Sequence, residues 1–207
     1  MQASNKNRKT TARNKRSGLP QSVVREIVER KVNFADVTVT LGTALTATQV
    51  TDMAQGLDDG NRIGRTIFCD YVEWNYIFKR NLASAAVADC IRVLIIYKDD
   101  GTVPVWSDIF MNSTLHSVYR PQVSSPGKRL ATTNTRVLYD EVYVVDSNGQ
   151  AGAYCRGRMS IKLPSYYAGT ASSDCNAGRV YLCMRSDNAT ANAPDARGVV
   201  GLYYTDQ

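Results

Sequence analysis

The chain has 207 residues, of which 43% are hydrophobic and 21% are charged, with a formal net charge of +6. This length is typical of one domain with or without a tail, and the composition excludes a wholly disordered chain. Its apolar runs fall short of the roughly 20 residues of a membrane helix, and no apolar secretory leader stands at the start. We therefore expect no membrane partner.

The positive charge is concentrated at the start of the chain. Residues 1–16 hold six of the 25 basic residues and no acid, so the remaining 19 basic residues are balanced by 19 acidic ones. A polar and basic segment of this kind cannot pack a core, and it binds phosphates without reading bases. We predict a disordered nucleic-acid-binding arm over residues 1–18, which is compatible with a nuclear-targeting role.

The next segment, 19–31, predicts a short amphipathic helix. Pro20 suits a first helical turn, and the charged side chains fall opposite the apolar ones. The apolar side is formed by Val23, Val24, Ile27 and Val28. The helix is too short to be stable alone, so we expect it to pack on the body or on a neighbouring copy. With the cations of this segment included, the predicted nucleic-acid-binding residues are Lys6, Arg8, Lys9, Arg13, Lys15, Arg16, Arg25, Arg30 and Lys31.

Residues 32–207 show a period of two, which is typical of strands. Strands are predicted at 36–41, 67–78, 86–97, 136–145, 154–163, 179–184 and 198–204. In the second of these, we expect one face to carry Phe68, Val72, Trp74, Tyr76 and Phe78. Residues 102–130 predict a long connection with little regular structure. About eight strands without intervening helices indicate an all-β antiparallel sandwich or jelly roll, and they exclude βαβ units.

Residues for catalysis or metal binding are scarce. His116 is the one histidine, whereas jelly-roll enzymes that hold a metal use several, so we predict no enzyme and no cofactor. Three acidic pairs, at 58–59, 99–100 and 140–141, could bind calcium between subunits, although adjacent acids in turns are usually only solvated. The five cysteines form no CxxC pair, and we expect reduced, buried thiols.

A second basic surface is predicted on the strand at 154–163, where Arg156, Arg158 and Lys162 alternate with apolar residues. If copies of the chain assemble into a closed shell, these cations could line its interior. They could instead pair with acids across an interface between copies. An exposed strand that carries cations also discourages edge-to-edge aggregation, so both interpretations remain open.

Two other functions compete with that of a subunit that forms a closed shell around nucleic acid. A cellular nucleic-acid-binding β-barrel would stack bases on exposed aromatic side chains such as Trp74 and Tyr76. An enzyme would have to use His116.

Taken together, the arm, the short helix and the strands resemble the single jelly-roll coat proteins of satellite tobacco necrosis viruses and of small circular single-stranded DNA viruses that encode a replication initiator. The residues that carry the resemblance are Gln55-Gly56, the run from Asn61 to Ile67, the run from Arg158 to Pro164, and Tyr203-Tyr204-Thr205-Asp206.

The resemblance implies a virion protein that forms a T=1 icosahedral shell of about 60 identical subunits, with arms turned inward onto single-stranded nucleic acid. Assembly would take place in the host cytoplasm or nucleus. Members of this family often hold calcium at subunit contacts. The arm is shorter than that of many circular-DNA-virus coat proteins, and the sequence specifies neither a DNA nor an RNA genome, nor a receptor.

Overall fold

The structure is a computed structural model that describes residues 30–58, 60–81, 88–112, 129–130, 134–146, 152–188 and 193–207. These residues form ten strands: β1 (Arg30–Thr40), β2 (Thr46–Gln49), β3 (Thr66–Lys79), β4 (Ala88–Lys98), β5 (Arg129–Leu130), β6 (Thr135–Asp146), β7 (Gly152–Tyr167), β8 (Cys175–Ala177), β9 (Arg179–Ser186) and β10 (Asp195–Asp206). They also form one helical turn, α1 (Trp106–Ile109), and a 3₁₀ turn at Ser172–Asp174. No helix of the described part is long and apolar enough to cross a membrane.

The strands build two antiparallel five-stranded sheets. The first has the order β1-β10-β3-β7-β8, and the second has the order β2-β9-β4-β6-β5. Without the short strands β5 and β8, the sheets are β1-β10-β3-β7 and β2-β9-β4-β6, which is the double Greek-key arrangement of a jelly roll. The predicted eight-stranded antiparallel jelly-roll sandwich is confirmed.

The core lies between the two sheets, and strand alternation selects its residues. Val72, Trp74, Tyr76 and Phe78 of β3 are buried on the face that meets the second sheet, as predicted. Gly157 of β7 pairs with Trp74, and a Cβ at this glycine would lie 2.3 Å from the indole ring. The glycine is therefore the residue that lets the large indole lie flat under β7.

A β-bulge changes the alternation in the first half of β3. Against Tyr203 and Tyr204 of β10, strand β3 holds Asp70 as an extra residue, and the register with β7 shifts at the same place, where Lys162 has a φ of 56°. Because the extra residue reverses the in-out pattern, Ile67 and Cys69 point into the core instead of Phe68. The prediction that Phe68 shares the buried face is wrong for this reason.

The outer face of the second sheet is covered by residues 103–112, which we call the covering segment. Ile109 and Phe110 are buried against Leu94 and Ile96 of β4. Trp106 stacks on Phe110, with ring centroids 4.0 Å apart. The sequence predicted little regular structure here, and the one-turn helix α1 was missed because it is too short to show a helical period.

The end of the predicted helix and the number of strands also differ from the sequence prediction. Arg30 and Lys31 begin strand β1, although the sequence placed them at the end of a helix. The rest of that helix and the arm, residues 1–29, lie outside the described residues. The short strands β2, β5 and β8 were not predicted, since two to four residues carry too little pattern.

Candidate functional site

Seven of the nine predicted nucleic-acid-binding residues precede the described part of the chain: Lys6, Arg8, Lys9, Arg13, Lys15, Arg16 and Arg25. The other two, Arg30 and Lys31, are neighbours at the start of β1, where alternation points their side chains to opposite faces. Their surroundings are therefore different.

Lys31 points inward and is only 6% exposed. Its ammonium group donates to the carbonyl of Asn61 at 3.0 Å and lies 3.4 Å from the Asp206 carboxylate. A lysine that is buried and paired within its own subunit cannot reach a phosphate. The assignment of Lys31 to nucleic-acid binding is therefore corrected: this side chain links β1 to the loop before β3.

Arg30 points outward onto the outer face of the first sheet, which we call the basic face. The exposed cations of this face are Arg30, Lys79, Arg156, Arg158, Lys162 and Arg197. The acids on the same face are Asp36, Asp70, Glu73 and Asp195, of which Asp36 and the side chain of Asp195 are open to solvent. Cations therefore dominate the part of this face that a ligand would touch.

Two of the cations make ion pairs that anchor them without hiding them. Lys162 donates to Asp70 at 2.6 Å while its side chain remains 59% exposed. Arg197 lies 3.6 Å from Asp195 and is 56% exposed. Pairs this exposed stabilise a fold by only about 0–1 kcal/mol.

Three aromatic rings on three strands and an arginine on a fourth form a row across the basic face, which we call the aromatic row. Phe34 of β1 meets Tyr203 of β10 edge to face, with centroids 6.4 Å apart. Tyr203 stacks on Tyr71 of β3 at 4.2 Å, and the Arg158 guanidinium of β7 lies 3.6 Å above the Tyr71 ring. Phe34 is directly opposite Gly201, whose missing side chain leaves room for the ring.

The row is neutral and partly open to solvent. Partial burial and the nearby Glu73 carboxylate raise the pKa of Tyr203, so its hydroxyl stays protonated near neutral pH. Phe34 is 59% exposed. An exposed ring beside cations is able to stack on another flat ring.

Two adjoining depressions lie where β1 begins. Arg30 and Lys162 line both of them, together with Asp70. Phe68, Thr205, Asp206 and Gln207 complete the first depression, while Tyr71, Arg158 and Ser160 complete the second. Residues 1–29 lead into β1 at this point, so the basic leader joins the basic face.

The predicted second basic surface at Arg156, Arg158 and Lys162 is thus part of a larger face. Within the described residues, Arg158 and Lys162 already have partners in their own subunit, Tyr71 and Asp70. Beyond β3, β7 pairs with β8 only through Tyr166 and Tyr167, so much of its outer edge is open in the described part. Both interpretations of these cations, partner binding and protection of an edge, therefore remain open.

The loop before β3, which carries part of the family resemblance, is held by a buried arginine that the sequence analysis did not single out. Arg62 is fully buried, with its guanidinium 3.9 Å from the centre of the Tyr167 ring. It donates to the carbonyl of Gly64 at 2.7 Å and to the carbonyl of Gly169. This clamp leaves Leu57 and Ile63 of the same loop 92% and 50% exposed.

The residues considered for chemistry are not brought together in the described part. His116 lies outside it, and so does Asp59 of the first acidic pair. Among the described residues, no group of three or more His, Cys, Asp or Glu side chains is placed to hold a metal ion. Asp140 of the third pair instead binds Arg92 in a bidentate ion pair with distances of 2.6 and 2.5 Å.

All five cysteines are free, and all except Cys90 are buried. Burial raises the pKa of the Cys69 thiol to about 12 and also raises that of Cys183. The prediction that the thiols are mostly buried agrees with this structure.

The comparisons with known proteins give structural likenesses only. No family model matches the chain, and no curated protein matches it. The chain is similar to a solved structure of Desmodium yellow mottle tymovirus, with 7% identity and a TM-score of 0.35, over 97% of this chain and 96% of that chain. It is also similar to the VP2 subviral particle of infectious bursal disease virus, with 12% identity and a TM-score of 0.18, over 86% of this chain and 42% of the other. Identities and scores this low identify no family, and the fold is assigned from the strand order.

Proposed function

We propose that the chain is the coat subunit of a small icosahedral virus, which assembles into a closed shell and packages single-stranded nucleic acid through its basic arm. The observation that carries the proposal is the separation of charge. The whole net excess of +6 lies in residues 1–16, ahead of a charge-balanced jelly roll. Viral capsids are among the main uses of the jelly-roll fold.

The physics of the arm favours a closed assembly over a lone binding module. Each Lys or Arg that neutralises a phosphate releases counterions. For a single strand, each contact therefore lowers the base-10 logarithm of the affinity by about 0.7 for every tenfold rise in salt concentration. Six such contacts bind weakly at physiological salt. Many arms within one cavity bind together, because each engagement raises the effective concentration for the next.

The competing functions are less well supported. A β-barrel that binds bases through Trp74 and Tyr76 needs these rings at the surface, and they are 2% and 1% exposed. An enzyme would depend on His116, and His116→Ala tests that directly: a coat protein keeps its assembly and packaging.

The proposal is tested by expressing the full chain and measuring its size by sedimentation and electron microscopy. We expect uniform closed particles that contain nuclease-protected nucleic acid of mixed sequence. Protein that remains monomeric under all salt conditions overturns the shell role.

The arm is tested in particles by replacing its six cations, Lys6, Arg8, Lys9, Arg13, Lys15 and Arg16, with glutamine. We expect the circular dichroism of the β-domain to be unchanged and the packaged nucleic acid to be largely lost. The matched control changes Arg8, Arg13 and Arg16 to lysine, which keeps the charge and should keep packaging. Equal packaging by the glutamine variant contradicts the role of the arm.

The resemblance to satellite tobacco necrosis virus and circular-DNA-virus coat proteins stays a prediction within this proposal, as do the T=1 shell, the virion location and interfacial calcium. Sequencing the packaged nucleic acid and counting subunits per particle test the genome type and the shell size.

A further inference from the structure

We infer that the basic face is a second nucleic-acid contact, at which unpaired bases of a single strand stack on the aromatic row while the surrounding cations bind its phosphates. The inference rests on the proposed function, since it assigns a further site to the same partner. It goes beyond the arm by naming a surface on the folded domain.

The first support is the chemistry of the exposed groups. Single-stranded nucleic acid is bound by positively charged surfaces that carry aromatic rings for the bases. The basic face has six exposed cations against four acids, of which Asp36 is exposed and the Asp195 side chain is 38% exposed. The Asp70 carboxylate is 7% exposed and directed to Lys162, so it offers little repulsion to a phosphate.

The second support is the geometry of the aromatic row. Stacking of Tyr203 on Tyr71 at 4.2 Å and the Arg158 guanidinium above Tyr71 fix the middle of the row. Phe34 stands at its end on β1 with 59% of its surface exposed. Beyond its edge contact with Tyr203, this exposed apolar ring provides a stacking surface for a base.

The third support is the position of the row relative to the arm. Arg30, the first described residue, lies beside Lys162 and Arg158 around the two depressions. The leader that carries the six arm cations therefore enters the domain at the same surface. A strand held by the arm is covalently tethered to this face, which raises its effective concentration there.

The partner is a single strand rather than a duplex. In a duplex the base faces are already stacked on each other, so the aromatic row could contact only its backbone. In a single strand the faces are free, and stacking on an aromatic ring is tolerant of sequence.

The experiment uses the full chain and a fluorescent oligothymidylate as the probe, with binding followed by anisotropy at several salt concentrations. Phe34→Ala removes the exposed ring, and we expect binding to weaken about fivefold or more. Phe34→Tyr keeps a ring and should restore affinity. Val144→Ala, an equally exposed apolar residue (57%) on the second sheet, is the matched control and should leave binding unchanged.

Charge is tested separately from stacking. Arg156→Gln should reduce the salt slope of oligothymidylate binding by about 0.7, because one phosphate contact is lost. A duplex of the same length should bind more weakly than the single strand, and it should be insensitive to Phe34→Ala. Ultraviolet crosslinking of the bound strand should give adducts at Phe34 or Tyr203.

Failure of this inference can be distinguished from failure of the proposed function. If particles form and the glutamine arm variant loses nucleic acid, but Phe34→Ala binds oligothymidylate normally, the second site is wrong and the coat role stands. If Phe34→Ala prevents particle assembly without changing binding, the face is a contact between copies, and the inference is overturned. If no particles form at all, the proposed function fails first.

Discussion

The two sheets of this jelly roll treat their outer faces in opposite ways. The second sheet is covered by its own chain, with Phe110 and Ile109 buried against β4 and Lys98 bound to Asp108 of α1 at 3.1 Å. Within the described residues, the first sheet leaves its outer face open, with Phe34 and the cations exposed. The difference shows that two sheets of similar topology can use their outer faces differently, since only one of them is buried under a segment that the structure describes.

The cations of the two sheets also differ in their surroundings. On the second sheet, Arg92 binds Asp140 and lies 4.2 Å from the Phe110 ring, and Arg185 lies 4.1 Å from the Trp106 ring. On the first sheet, the cations point to solvent. Basic residues of the second sheet therefore hold the covering segment in place, while those of the first remain exposed even where they are paired, as Lys162 and Arg197 are.

The largest expected difference is between two phenylalanines. Phe110→Ala should lower the free energy of unfolding by about 3–5 kcal/mol, because it empties a buried site under the covering segment. Phe34→Ala on the open face should change it by less than about 1 kcal/mol. Urea unfolding followed by circular dichroism measures both, and similar losses would show that the open face also has a structural role.

The next comparison concerns ion pairs. Asp140→Asn should cost about 3 kcal/mol, because it leaves the buried Arg92 guanidinium without its bidentate carboxylate. Asp195→Asn removes an exposed pair with Arg197 and should cost about 0–1 kcal/mol. Thermal unfolding of the two variants and of the wild type measures the two losses of stability. Equal losses would mean that the covering segment leaves Arg92 solvated.

Substitutions at two neighbouring residues of β7 compare the inner face of the first sheet with its outer face. Gly157→Ala should destabilise by about 1–3 kcal/mol, because the new methyl group would overlap the Trp74 indole. Arg156→Ala, one residue away on the basic face, should stay within about 0.5 kcal/mol of the wild type. Chemical unfolding of both variants checks this, and tolerance at 157 would mean that Trp74 can repack.

The smallest effect is a difference in thiol reactivity. Cys183 lies on the outer side of β9 in the cluster under the covering segment, whereas Cys69 lies between the sheets. Burial raises the pKa of both thiols, so the native protein should label slowly at either one. Because the covering segment can open locally without unfolding the core, Cys183 should react with maleimide before Cys69. Mass spectrometry of labelled peptides gives the order in which the two thiols react. If Cys69 reacts before Cys183, the covering segment is not the first part of the molecule to open.

The fold was largely predictable because most of its strands are long and alternate clearly. The strands from 67–78 to 198–204 were placed within a few residues, since each carries a strong period of two. The face of Phe68 was not predictable, because the bulge at Asp70 depends on pairing with a strand almost a hundred residues later. The short strand β2 carried too little pattern to be found.

The site was predictable only in part. The local excess of charge in residues 1–16 can be read directly, and so can the alternation that points Arg156 and Arg158 outward. The aromatic row could not be found, because it joins residues of four strands whose order and register arise from the whole fold. Lys31 was assigned to nucleic-acid binding with the other cations of the segment 19–31, and its burial depends on Asp206 at the other end of the sequence.

The arginine clamp of the loop before β3 has a consequence for the kinetics and thermodynamics of association. Arg62 fixes the backbone that carries Leu57 and Ile63, so these apolar side chains are held in place before any encounter. A surface that meets them loses little conformational entropy on contact, since the ordering of the loop has already occurred during folding. In the shell proposed above, such preorganisation would let a small apolar contact, repeated many times by symmetry, hold the assembly together.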